Sequence, residues 1–92
     1  MALIGSYSQQ PADKLDYDID YSEWLVTGDS LLSATVTVDP VGLTVDHIIV
    51  GKKIKVWAYG GTNLVKYKIT VTATTSLGRI KQDEIKLSIK DI

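Results

Sequence analysis

The chain has 92 residues, no cysteine and a formal net charge of −1. A chain of that length forms one domain with a thin core, and the missing thiols exclude disulfide staples and thiolate metal sites. No apolar run nears the roughly 20 residues of a membrane span. Residues 1–5 also lack the basic start and long apolar core of a signal peptide, so we expect a soluble product made in a cytoplasm, without a membrane partner.

Charge is unevenly spread. Residues 1–46 hold eight acids (Asp13, Asp16, Asp18, Asp20, Glu23, Asp29, Asp39, Asp46) and one base, Lys14, whereas residues 47–92 hold nine bases and three acids. Two readings stand. Acidic strands pair with basic ones inside one domain, or acidic and basic poles favour head-to-tail contact between copies.

In chain order, residues 1–13 read as an extended N-terminal arm without usable periodicity, ahead of a β domain over 14–92. Pro11 removes a backbone donor and biases Gln10 to an extended shape. Such an arm either frays or orders against a neighbour, with Leu3, Ile4 and Tyr7 as its apolar grips. Leu15 to Tyr21 predicts a strand with Leu15, Tyr17, Ile19 and Tyr21 on one face and Asp16, Asp18 and Asp20 on the other. The aspartates resemble the start of a calcium loop. From Asp16, however, the sixth and twelfth places hold Tyr21 and Thr27, not glycine and glutamate. We read a solvated face that discourages edge pairing, and expect no metal and no cofactor.

Asp20 and Glu23 have the spacing of a capping box. Tyr21, Trp24 and Leu25 fall on one helical stripe, which predicts one short helical turn near residues 21–25, ended at Gly28. Trp24 reads as a core plug. Ala34, Val36 and Val38 alternate with Thr35 and Thr37 in a second strand. A turn follows at 39–42, then a short edge strand from Leu43 that Ile48 to Val50 extends. In Ile54 to Tyr59, one face is apolar and the other carries Lys55, Trp57 and Tyr59. Tyr67 to Ala73 has the cleanest alternation of all and predicts the central strand, with Tyr67 placed for a tyrosine corner that bonds a main-chain group a few residues upstream. The last strand, 80–89, breaks alternation before Ile85, which reads as a bulge. The whole predicts an all-β fold: an immunoglobulin-like, fibronectin-type antiparallel β-sandwich of six or seven strands.

Nothing in the sequence assembles chemistry. His47 is the only histidine, there is no thiol, and no nucleophile, base and orienting group stand together. Gly60-Gly61-Thr62-Asn63 lacks the Lys-Ser/Thr of a phosphate loop. We therefore expect a protein that is not an enzyme. Lys53, Lys55, Lys66 and Lys68 flank Trp57, Tyr59 and Tyr67 in the manner of a single-strand stacking surface, but the acidic half opposes phosphate, so nucleic acid is not the expected partner.

The stretch Pro11 to Leu25, PADKLDYDIDYSEWL, resembles small proteins encoded among the structural genes of tailed bacteriophages, of the fibre-tail adaptor or head-tail accessory type. Gly42-Leu43-Thr44-Val45, Trp57-Ala58-Tyr59-Gly60-Gly61-Thr62 and Thr75-Ser76-Leu77-Gly78-Arg79 carry the resemblance onward, so that it covers nearly all of 11–92. It departs in the arm and at His47 to Lys52. The resemblance implies a virion component made in the host cytoplasm: a structural adaptor that links tail and tail-fibre, portal or capsid proteins, in multiple symmetric copies. The alternatives are a capsid decoration or cement protein and a carbohydrate-binding immunoglobulin-like module with an exposed tryptophan as sugar platform. Specificity is expected in the arm (Leu3, Ile4, Tyr7), on the aspartate face (Asp16, Asp18) and at Trp57.

Overall fold

The computed structural model describes residues 2–91, with side chains over 5–91. Seven strands are present: β1 (Ala2–Gln9), β2 (Lys14–Asp20), β3 (Leu31–Asp39), β4 (Leu43–Val50), β5 (Lys53–Gly60), β6 (Lys66–Thr75) and β7 (Ile80–Ile89). They form two sheets, β1-β7-β6-β3 and β2-β5-β4. The inner faces of both sheets build one hydrophobic cluster.

Period-two alternation dictates which side chains enter that cluster. Tyr67, Ile69, Val71 and Ala73 of β6 point inward, as do Ile85, Leu87 and Ile89 of β7 and Ile54, Val56 and Ala58 of β5. Each buried aliphatic side chain contributes roughly 1.5–3 kcal/mol. Burial deepens along β2, from Leu15, 43% exposed at the open end, to Ile19 and Tyr21 in the core. The Tyr67 hydroxyl accepts a 2.9 Å hydrogen bond from the Thr62 amide, as expected of a tyrosine corner.

Three expectations are corrected. No helix occurs among the described residues, so the short helical turn near 21–25 is absent. The Trp24 and Leu25 amides do both bond the Tyr21 carbonyl, at 3.0 and 2.9 Å, and Asp20 Oδ1 accepts from the Ser22 amide. The stripe is only one turn long, however, and Val26, Thr27 and Gly28, weak helix formers, follow it. Nor is the chain wholly antiparallel, because β1 runs parallel to β7. Finally, β7 holds no bulge against β6, since Ile80 to Ser88 pair in unbroken register. The alternation fails because an inward place is taken by a carboxylate, Asp83, which is fully buried. Lys81 Nζ lies 3.1 Å from Asp83 Oδ1. Asp83 Oδ2 and the Tyr21 hydroxyl are buried without hydrogen-bond partners. Burial, then the Asp83 charge, pushes the Tyr21 pKa up. The register shifts occur instead at Leu3/Gly5 in β1 and at Leu31/Ser33 in β3.

Polar contacts fix both ends of the domain. At one end Gln9 is buried. Its amide nitrogen donates to the Ala58 carbonyl across the sheets at 3.1 Å, and its oxygen accepts from the Tyr17 hydroxyl at 2.6 Å. At the other end the Arg79 guanidinium lies 4.1 Å from the Trp24 ring centroid and donates to the Trp24 carbonyl. Trp24 thereby packs on the core, edge-on to Tyr21. Beside it Asp29 Oδ1 accepts from the Ser30 amide at 2.9 Å, the Ser76 hydroxyl at 3.0 Å and the Leu77 amide at 3.1 Å.

The Asp29 clasp predicts a pH dependence. Burial raises its pKa, but the Thr75 and Ser76 hydroxyls and the Leu77 and Ser30 amides outweigh this and hold it below the ordinary 3.8. On acidification the unfolded chain therefore takes up this proton first. The clasp's contribution is complete above the ordinary carboxylate range and is lost as pH falls below 3.8 and through the still lower folded-state pKa. Asp29→Asn should flatten that part of the curve of urea midpoint against pH. An unchanged acid slope would show that the clasp does not contribute.

Candidate partner-binding faces

The outer face of β2-β5-β4 gathers three of the six residues singled out from sequence, Asp16, Asp18 and Trp57. Register places Asp16 opposite Trp57, Asp18 opposite Lys55 and Asp20 opposite Lys53. On the far side of β5, Asp46 stands opposite Trp57 and Ile48 opposite Lys55. Trp57 is half-buried between the Asp16 and Asp46 positions.

This face largely neutralises itself. Lys55 Nζ is 2.8 Å from Asp16 Oδ2 and 3.5 Å from Asp18 Oδ1. The hydrogen bond to Lys55 leads in lowering the Asp16 pKa, and the same bond raises that of Lys55. Lys14 Nζ sits 4.5 Å from the Tyr59 ring centroid, and the Tyr59 hydroxyl donates to Asp46 Oδ2 at 3.1 Å, which raises the Tyr59 pKa. The acidic first half of the chain thus meets basic residues of the second half strand against strand, within one sheet. Among the described residues no group of three or more His, Cys, Asp or Glu side chains lies together to hold a metal ion. His47 is exposed on β4, an edge strand.

Tyr7 does not join this face. It lies at the seam between the sheets, its ring 4.7 Å from that of Tyr17 at 36°, and it is 41% exposed. Burial comes first and the neighbouring Tyr7 second in raising the Tyr17 pKa. Leu3 and Ile4 fall in β1, but their side chains lie outside the described residues.

The opposite outer face, on β1-β7-β6-β3, is of another kind. Threonines 35, 37, 70, 72 and 74 floor much of it, and Lys66, Lys68 and Lys86 stand at one end. Lys68 is directly opposite Lys86. Sequence grouped Lys66 and Lys68 with Lys53 and Lys55, but strand pairing separates these and adds Lys86 instead, a meeting no single-strand pattern reveals. The even numbers of Lys66, Lys68 and Lys86 do place them all on outward positions.

The two sheets thus present outer faces of contrasting chemistry. The family model for podophage GP4 fiber-tail adaptor protein gp77 matches residues 9–88. The chain belongs to this family. No curated protein matches it. The span matched by the fibre-tail adaptor family covers β2 to β6 whole and all but the last residue of β7, while β1 lies before it save for Gln9. The self-neutralised Asp16–Trp57–Lys55 face and the lysine end therefore both belong to the family body, and Tyr7 does not.

Proposed function

We propose that the protein is a non-enzymatic structural component of a tailed-phage virion, an adaptor that links tail and fibre proteins by association alone. The observation that carries this reading is the family match, which spans nearly the whole two-sheet body. Exposed sheet faces with unlike chemistry support it, because an adaptor must present different surfaces to different neighbours.

The immunoglobulin-like reading belongs to the same proposal. Its support is the order β1-β7-β6-β3 facing β2-β5-β4, with the tyrosine corner at the start of β6. Residues 1–13 act as a partner-contacting arm even though Ala2–Gln9 lies along β7 in the first sheet, with Tyr7 as one grip. Asp16, Asp18 and Trp57 form a contact face on the second sheet, and several symmetric copies occupy each particle.

Phage grown without this protein tests the role. The expected particles have filled heads and lack attached fibres in electron micrographs, and added purified protein restores the fibres. Fully fibred, infectious particles made without it would refute the adaptor reading.

A further inference from the structure

The lysine end of the β1-β7-β6-β3 face is not explained by the fold. Lys68 and Lys86 are directly opposite on neighbouring strands, a like-charge placement that destabilises a sheet. Lys66 adds a third charge two residues along β6, about 6.8 Å away by strand geometry. Among the described residues none of the three has a carboxylate within 4.0 Å, whereas Lys55 and Lys81 are both paired. Asp39, directly opposite Lys68 on β3, forms no such pair. Together with Ser6, Ser88, Pro40 and the single carboxylate Asp39, these lysines line an open groove of about 520 Å³.

A second feature marks the same end. The turn bearing Leu64 is tied to the Tyr67 hydroxyl, and the turn bearing Val41 passes close to it. That hydroxyl accepts from the Thr62 amide, and a Cβ on Gly42 would stand 3.1 Å from it. Val41 is 91% and Leu64 79% exposed. Leu64 is also the one non-glycine residue with positive φ, at 69°, among the described residues. A branched apolar side chain held in solvent at a strained backbone position, beside unpaired like charges, indicates a surface kept for binding rather than for stability.

We propose that this groove, with Lys66, Lys68 and Lys86 at its floor, Pro40 at its rim and the exposed Val41 next to Pro40 in the chain, docks an extended segment of a partner protein in which carboxylates alternate with apolar residues. The segment's period of two matches the spacing of Lys66 and Lys68, and its apolar side chains meet the rim. A nucleic-acid strand fits less well. Among the described residues the face offers no arginine and no exposed aromatic ring for stacking. The inference deepens the adaptor reading by assigning a partner chemistry to one face.

NMR titration of the isotopically labelled full chain tests it, at low salt, with three probes: a peptide in which Asp alternates with Val and Ser, an oligothymidylate, and inorganic phosphate. The expected result is saturable shifts at the amides around Lys66, Lys68 and Lys86 with the peptide, and weaker binding of the other two probes. Joint replacement Lys66→Gln, Lys68→Gln and Lys86→Gln should weaken the peptide about tenfold or more, and Lys53→Gln on the opposite sheet should not. Absence of saturable peptide binding, shifts confined to the other sheet, undiminished binding by the triple variant, or tighter binding of oligothymidylate or phosphate would each overturn it. Because purified protein alone is used, this outcome is separable from that of the particle experiment.

Discussion

Gly61→Ala is expected to destabilise the fold by about 3 kcal/mol, far more than Gly60→Ala beside it. Both glycines have positive φ, +90° at Gly61 and +78° at Gly60, so both substitutions carry backbone strain of roughly 1 kcal/mol or somewhat more. They differ in what a methyl group meets. At Gly60 nothing lies within 4 Å, whereas at Gly61 the new Cβ would be 2.8 Å from Ile89 Cγ1 and 3.3 Å from Leu43 Cδ1. Ile89 is fully buried and Leu43 nearly so, so neither side chain moves aside without disturbing the core. Overpacking of this kind adds roughly 1–3 kcal/mol. Urea unfolding of the two variants gives the comparison. Equal losses would show that strain alone matters and that the Gly61 turn is loosely packed.

Leu87→Ala is expected to be as severe, at about 3 kcal/mol. Leu87 has no exposed surface and lies on β7, which is paired on both sides, to Tyr67 of β6 and to Tyr7 of β1. Truncating a buried leucine removes its transfer energy and leaves a cavity that the neighbouring strands only partly fill. For a domain of this size, total stability is roughly 5–14 kcal/mol, so the loss is a large share of it. Leu32→Ala, at a site 65% exposed, should change the urea midpoint little. If Leu87→Ala also costs less than about 1 kcal/mol, the inner face of β7 is not the packed centre described above.

These positions also show which parts of the fold were legible in sequence. Alternation from Tyr67 to Ala73 marked β6 as an inner strand, because both its neighbours and its buried face are apolar or hydroxylic in strict turn. The edge strand from Leu43 extended to Val50 as Ile48 to Val50 suggested. β1 left no such trace. Ser6, Ser8 and Gln9 are polar on both of its faces, and Gln9, the one buried side chain among its described residues, is satisfied by Ala58 and Tyr17, residues remote in sequence. Asp83 misled for a related reason, since a carboxylate in an inward place looks like a break in periodicity when the backbone has none. The short stripe at Tyr21, Trp24 and Leu25 matched helical spacing, yet it is one turn long and runs into Val26, Thr27 and Gly28, so it stays a turn, with Arg79 packed on Trp24.

For the candidate faces, strand parity put Asp16, Asp18 and Trp57 outward, and register then brought them side by side. Parity did not tell that Lys55 would bind both aspartates, because cross-strand pairing lies beyond any single strand's pattern. The same limit hid the meeting of Lys68 with Lys86. Family motifs, by contrast, lay in plain view at Pro11 to Leu25 and at Trp57 to Thr62.

The central claim is that this fibre-tail adaptor family member is built into the particle between tail and fibre. Cryo-electron microscopy of purified virions, with mass spectrometry of the same preparation, tests it most directly. The account predicts the protein among the particle's components and density for its two sheets at the tail, in contact with fibre proteins. Its absence from the particles, or copies arrayed on the shell, would contradict it.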